Sequence, residues 1–231
     1  MHIVLVPGFW LDASSWDAVV PGLRGAGHTV EALTLPGLES RDADRSGIGL
    51  RDHVDAVVAR VDAASGPVAL VGHSGGGAVI SGAADARPDR VERAIYVDTG
   101  PLADGAIISD EWESEGGEIP FPDWSAFDAS ELVDLDEAGR EHLRAIAIPE
   151  PLGVSTEPQR LGDERRFSVP TTIIACSIPA ATLRELIDAG HPFMAEVGRM
   201  HDVEIVELAT GHWPQLTRPR ELTAEILAAL G

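Results

Sequence analysis

Residues 71–80 read VGHSGGGAVI, a single hydroxyl, Ser74, set among glycines at 72, 75, 76 and 77. The apolar run PVALV (67–71) leads into it, and small and apolar residues at helical spacing follow to about residue 86. A buried strand that turns straight into a helix must bend sharply at the residue between them. Glycines two positions before and after that residue relieve the crowding, and the serine is left exposed at the carboxyl edge of a sheet. GHSGG therefore reads as Gly-x-Ser-x-Gly in the strand-turn-helix setting of a nucleophile elbow. The helix start also directs free amides at the hydroxyl, which suits a developing negative charge. A glycine loop carrying an incidental serine has the same letters; the flanking strand and helix are what favour the elbow.

Outward from the elbow, short β-branched runs alternate with helical patterns. HIVLV (2–6), HTVEALTL (28–35), PVALV (67–71), ERAIYVD (92–98), PTTIIAC (170–176) and DVEIVEL (202–208) read as six strands. Between them, helices are predicted from Ser15 to about Arg24 with Asp12 or Ser14 as cap, through Leu50–Val61, from 76 to 86, and finally in RPRELTAEILAAL. This alternation implies a mostly parallel sheet with helices on both faces. Residues 101–168 break the rhythm. They hold 17 acids against 5 arginines and are too long for an ordinary connection, so they are expected to form a helical lid over a core made of 1–100 and 169–231. Within them ASELVDLDEAGREHLRAIA (129–147) is predicted as one or two helices, capped by Asp128 or Ser130.

Composition narrows the function. The net charge is -21, opposite to the basic footprint a nucleic-acid or anionic-membrane partner requires. All 17 basic residues are arginine, which removes Schiff-base, pyridoxal and P-loop lysine chemistry. The one cysteine, Cys176, allows no internal disulfide and reads as a small buried residue. The N-terminal MHIVLVPGFW is too short for a membrane span and lacks a basic leader, so a soluble cytoplasmic protein is expected. No metal-ligand spacing is present, and no cofactor is expected.

A serine hydroxyl at neutral pH needs a base at the same sheet edge. Of eight histidines, His212 in ELATGHWP fits best, because it follows the sixth strand. His2, His28 and His201 stand where strands begin, His53 lies on a helix as a surface or packing residue, and His73 is expected to shape the pocket. Two backbone amides should receive an oxyanion: Gly75, next to the nucleophile, and Phe9, in the loop PGFWLD after the first strand. That PG is equally compatible with an ordinary turn.

The segments LVPGFWLDASSWDAVVPGLRGAGHTVEALTLPG, VGHSGGGAVI and ATGHWPQLTRP together resemble the α/β-hydrolases. Within that superfamily they are similar to the small esterase group containing plant methylesterases and hydroxynitrile lyases. The resemblance covers about the first 100 and last 60 residues. It implies an α/β-hydrolase fold with a cap and catalysis without a cofactor. Two departures stand out. Pro7-Gly8 replaces the group's usual His-Gly, and no acid follows PTTIIAC before Glu185, where the group places its triad acid. Asp98, ending AIYVD on the strand expected beside the elbow strand, is the candidate acid, with the alternative that it merely caps the turn DTGP. Glu185 and Asp188 are fallbacks.

Trp10, His73, Trp213, Trp112 and Trp124, with Phe121 and Phe127, are expected around Ser74 as an apolar pocket, although any one aromatic also fits plain packing. The leading reading is a serine hydrolase acting through an acyl-enzyme on a neutral, apolar small-molecule ester or lactone. A lyase or cyclase on the same fold and a non-catalytic small-molecule-binding protein are the alternatives. The lyase mechanism of the resembling group uses a lysine, which is missing here.

Overall fold

Strands that are apolar at every position must be covered on both sides. Apart from His2 and His73 at their ends, β1 (His2–Val6) and β3 (Val68–His73) are of this kind, buried at nearly every position. The computed structural model describes residues 1–231. After β1 come α1 (Val20–Gly25), β2 (Thr29–Ala32) and α2 (Leu50–Ala63); β3 leads into α3 (Gly76–Ala86) and β4 (Val91–Val97). The 101–168 segment carries the short strands β5 (Glu118–Ile119) and β6 (Glu150–Pro151) with α4 (Glu137–Ile146) and α5 (Leu152–Thr156). β7 (Thr171–Ala175), α6 (Ala180–Asp188), β8 (Val203–Glu207), α7 (Pro214–Thr217) and α8 (Pro219–Leu230) complete the chain.

The six-stranded sheet has the order β2-β1-β3-β4-β7-β8, and every neighbouring pair is parallel. All six expected strands are present: β1 matches its apolar run, β4 is displaced by one residue, and β2, β7 and β8 are two to four residues shorter than theirs. β3 instead starts one residue later and extends two residues further, taking in His73. Alternation splits the core into two layers. Ile3, Leu5, Ala69, Val71, Ile95 and Val97 meet Leu23 of α1 and Leu222 and Ile226 of α8. Val4, Val6, Val68, Leu70 and Tyr96 face α2 and α3, in a layer that continues into the 101–168 segment through Ile119, Phe127, Leu135 and Leu143.

Two helix expectations are corrected. Residues 15–24 are not one helix: a 3-10 turn, Ala13–Trp16, capped by Asp12, precedes α1. Pro21 is the reason. It has no N–H to donate back four residues, and its ring would clash with that carbonyl, so it sits in the first turn of a new helix. Likewise, the pattern 129–147 yields only α4, capped by Asp136 rather than Asp128 or Ser130, with the Gly139 N–H donating to Asp136 Oδ1 at 2.8 Å. Asp134, at φ +63°, breaks the pattern just upstream.

The strand order reverses between β1 and β3, since β2 lies to one side of β1 and β3 to the other. The crevice outside the carboxyl ends of those two strands is where open α/β sheets place their ligands. It holds the 7–11 loop and Ser74. No helix is long and apolar enough to cross a membrane.

Candidate active site

Ser74 leaves β3 with φ +51°, a left-handed backbone that a non-glycine residue adopts only when its surroundings enforce it. The enforcement is local. A Cβ on Gly72 would stand 2.6 Å from the Gly76 carbonyl oxygen, and one on Gly76 would stand 2.5 Å from that of Pro7. The turn therefore closes only with glycine on both sides of the serine. Ser74 also donates its N–H to the Val97 carbonyl at 3.1 Å, so the bend is continuous with the β3–β4 ladder.

Asp98 occupies the equivalent position one strand over. It follows β4 with φ +49° and donates its N–H to the Ile174 carbonyl of β7 at 2.9 Å. Its Oδ1 accepts the Cys176 and Ser177 N–H groups at 3.1 and 2.8 Å, and its Oδ2 accepts the Ser177 hydroxyl at 2.7 Å. Oδ2 also accepts from His212 Nδ1 at 2.6 Å, and His212 Nε2 receives the Ser74 hydroxyl at 2.8 Å. A carboxylate only accepts, so the proton on His212 is at Nδ1 and Nε2 is left free to take one from Ser74. Burial works to raise the Asp98 pKa. The hydrogen bonds from His212 and Ser177 and the attraction of His212 outweigh it and hold the group below the usual carboxylate range. Cys176 is pushed the other way, its thiol raised by burial and by the Asp98 charge, so it stays protonated. Glu185 and Asp188, the fallback acids, lie on α6 and make no bond to His212.

The loop carrying His212 is held from two sides. Its N–H donates to the Glu131 carbonyl at 2.8 Å, and its carbonyl accepts from His73 Nε2 at 2.6 Å. His73, expected beside the pocket, thus holds the backbone of the His212 loop. By the two-residue period of β3 it falls on the same face as Ala69 and Val71. There it is almost fully buried, and its Nδ1 accepts from Gln215 Nε2 at 3.2 Å. Burial first, then the neighbouring His212, lowers its pKa to about 3, so it is neutral. His53 is a packing residue: its Nε2 donates to the Pro36 carbonyl at 2.9 Å, and burial lowers its pKa to about 4.

The Phe9 and Gly75 N–H groups have no acceptor within the chain. Next to Phe9, Trp10 begins a run of rings. Trp10 meets Phe9, Trp112, Phe121 and Phe127 at centroid distances of 5.8, 5.0, 5.3 and 6.1 Å. Phe127 reaches Trp213 at 5.2 Å, Trp124 reaches Trp213 at 6.3 Å, and Trp213 lies edge-on to His212 at 5.1 Å. The structure thus joins the expected aromatics of the 101–168 segment to both the 7–11 loop and the His212 loop. Trp10 and Trp213 are buried within this assembly, while Trp112 and Trp124 are half-buried at its margin.

Sequence reasoning did not find Ser177, Gln215 or Glu150. Ser177 carries no signal except its place after β7, where an acid was sought. Glu150 accepts the Trp10 N–H at 3.1 Å from across 140 residues, and nothing local marks it. No three His, Cys, Asp or Glu side chains converge as a metal site.

Comparison with known proteins fits this geometry. Residues 3–226 match the model of the alpha/beta hydrolase family. The chain belongs to the α/β-hydrolase family. Among relatives of this α/β-hydrolase, a pyrethroid hydrolase of Sphingobium wenxiniae is 28% identical over 97% of this chain and 85% of its own. The rice esterase PIR7B is 34% identical over 42% of this chain and 37% of its own. Among solved structures, an extracellular α/β-hydrolase from a Paenibacillus species, described as sharing structural and functional homology with tobacco salicylic acid binding protein 2, superposes with a TM-score of 0.79. It is 22% identical and covers 99% of this chain and 98% of its own.

Proposed function

We infer that the protein is a serine hydrolase that cleaves a neutral, apolar small-molecule carboxylic ester or lactone through an acyl-enzyme. The observation that carries this reading is the continuous hydrogen-bond chain Ser74–His212–Asp98, with two unpartnered amides, Phe9 and Gly75, beside it. In this reading His212 Nε2 takes the Ser74 proton as Oγ attacks the ester carbonyl, and Asp98 stabilises the imidazolium that forms. The Phe9 and Gly75 N–H groups receive the negative oxygen, assisted by the start of α3. His212 then returns the proton to the leaving alkoxide. Water, deprotonated by the same nitrogen, releases the acid and restores Ser74.

The aromatic wall supports an apolar substrate, and the acidic balance of residues 101–168 disfavours an anionic one. That segment serves as the cap: its rings stand against Trp10 and Trp213, and its Glu131 carbonyl fixes the His212 backbone. The names of the relatives, esterases and hydrolases, support ester cleavage. The test is hydrolysis of p-nitrophenyl butyrate together with fluorophosphonate labelling and peptide mass spectrometry. A stoichiometric adduct on Ser74, and loss of turnover in Ser74→Ala and His212→Ala, are expected. A folded protein with turnover but no Ser74 adduct would overturn the acyl-enzyme.

A further inference from the structure

Trp10 has φ +65°. It is the third residue of a turn closed by the Leu11 N–H on the Gly8 carbonyl at 3.3 Å, the position where a type II turn normally takes glycine. Tryptophan there is strained and persists only where its surroundings hold it. Three hydrogen bonds do so. The Trp10 N–H donates to Glu150 Oε2 at 3.1 Å, the Ile148 N–H donates to the Trp10 carbonyl at 2.8 Å, and the indole N–H donates to the Ile119 carbonyl at 3.1 Å. Ile119 and Glu150 face each other in the β5–β6 pair, so all three partners lie on one small unit of the 101–168 segment.

Of the three, only Glu150 acts through its side chain, and it is only 1% exposed. Burial pushes its pKa up to about 8, against the lowering effects of the Trp10 N–H and Arg45. Near pH 7 it is mainly a neutral carboxyl whose carbonyl oxygen accepts. A carboxyl is costly to bury, and packing alone would favour an apolar residue. An apolar residue, however, would leave the Trp10 N–H without a partner and release the turn.

What the turn controls is the amide next to it. The Phe9 N–H is the free donor one peptide before Trp10. The Phe9 ring also lies against Gly75, so closely that a Cβ on Gly75 would be 2.6 Å from its edge. Reorienting the Phe9–Trp10 peptide therefore disturbs both free amides.

We propose that Glu150 is a positioning residue of the oxyanion pocket: by accepting the Trp10 N–H it locks the 8–11 turn and aims the Phe9 N–H at the substrate's developing oxyanion. This rests on the serine-hydrolase reading above. Removing the acceptor is equivalent to misplacing one oxyanion donor, so the loss falls on the chemical step and not on ground-state binding.

The experiment compares the full chain with Glu150→Gln, Glu150→Met and Glu150→Asp at pH 7. It measures kcat and KM on p-nitrophenyl butyrate, the rate of fluorophosphonate capture at Ser74, and thermal stability. Glutamine keeps a carbonyl at the same reach and is expected to stay within about 3-fold of wild type. Methionine, which fills the volume without accepting, is expected to lower kcat and the capture rate by about 100-fold, with KM changed much less. Aspartate keeps the carboxyl but draws it back by one methylene, and about a 10-fold loss is expected. If the methionine variant does not fold, the glutamine–aspartate contrast decides, because a purely structural role would order the two by stability and leave kcat alone. A folded methionine or aspartate variant with wild-type kcat, or a glutamine variant as slow as methionine, overturns the assignment while the hydrolase stands. Wild type that turns over without labelling Ser74 overturns both.

Discussion

The imidazole of His212 donates through Nδ1 to Oδ2 of Asp98 at 2.6 Å, across 114 residues of chain. Asp98 ends β4, directly beside the strand that carries Ser74, whereas the resembling esterase group takes its acid from the loop after the next strand. Here that loop supplies donors instead, the Cys176 and Ser177 amides and the Ser177 hydroxyl, all on the Asp98 carboxylate. The position after β7 thus supplies hydrogen-bond donors to the Asp98 carboxylate and no carboxylate of its own.

Asp98→Asn preserves the shape of the site but offers His212 an amide in place of a carboxylate. The imidazole then loses both its fixed tautomer and the charge that stabilises its protonated form. A fall in kcat of about 10,000-fold is expected, by steady-state hydrolysis of p-nitrophenyl butyrate, with the fold retained by circular dichroism.

Ser177→Ala removes one of the donors on Asp98 Oδ2 and leaves both backbone donors on Oδ1. Loss of a hydrogen bond to a charged group is worth about 1.5 kcal/mol, or about 10-fold. A decrease of that size in kcat/KM is expected across the pH profile, read with p-nitrophenyl butyrate. An unchanged profile would mean that the two backbone amides suffice to hold Asp98.

Gly8→Ala tests the close approach of the 7–11 loop to the elbow. A Cβ there would stand 2.7 Å from His73 Nδ1 and 2.9 Å from the Ser74 Cβ. His73 is locked between His212 and Gln215 and cannot give way, so the loop must move. Destabilisation of about 1–3 kcal/mol is expected in urea unfolding, together with a fall in kcat of at least about 10-fold.

The pH dependence of stability follows from four buried groups. His73 and His53 have folded pKa values lowered to about 3 and about 4, from an ordinary 6.5. Below 6.5 the unfolded chain binds protons that the folded chain refuses, so stability falls as pH drops through the window from 6.5 toward 3. Asp98 adds to this at the acid end: its lowered pKa stabilises the fold above its ordinary value of 3.8, and that contribution is lost as pH falls through the folded pKa. Glu150 acts in the opposite direction, raised from 4.5 to about 8. Between those values the folded state holds a proton that the unfolded state has released, so stability falls as pH rises across them. Melting curves at pH 5 and pH 8.5 are expected to show Glu150→Gln gaining on wild type at the higher pH. Parallel curves for the two proteins would contradict the raised Glu150 pKa.

Phe127 sits among five other rings, Trp10, Trp112, Phe121, Trp124 and Trp213. It is 8% exposed. Phe127→Ala is expected to cost about 3 kcal/mol or more of stability through the cavity it leaves. Relative kcat/KM should shift toward bulkier acyl groups, read from a series of p-nitrophenyl esters of increasing chain length.

Local chemistry made the fold and half of the site legible in the sequence. The bend at Ser74 is dictated by its own strand, glycines and helix, because the clashes that demand glycine arise within a few residues or from the adjoining first strand. His212 follows from strand counting, since a parallel sheet opens every strand end onto one edge. From the sequence, Asp98 fits either a triad acid or the cap of the turn DTGP, because only the pairing of β4 with β7 brings Cys176 and Ser177 onto its carboxylate. The bonds of His73 to the His212 carbonyl and to Gln215 are not legible in the sequence, because they close over about 140 residues of chain. Glu150 had no signal at all. It is one acid among 17 in its segment, and its role exists only because the β5–β6 pair brings it to an amide 140 residues away. Elements whose constraints are short in sequence were determined by the sequence itself. Contacts that close long loops, where burial and hydrogen bonding must outweigh chain entropy, were decided by the tertiary structure alone.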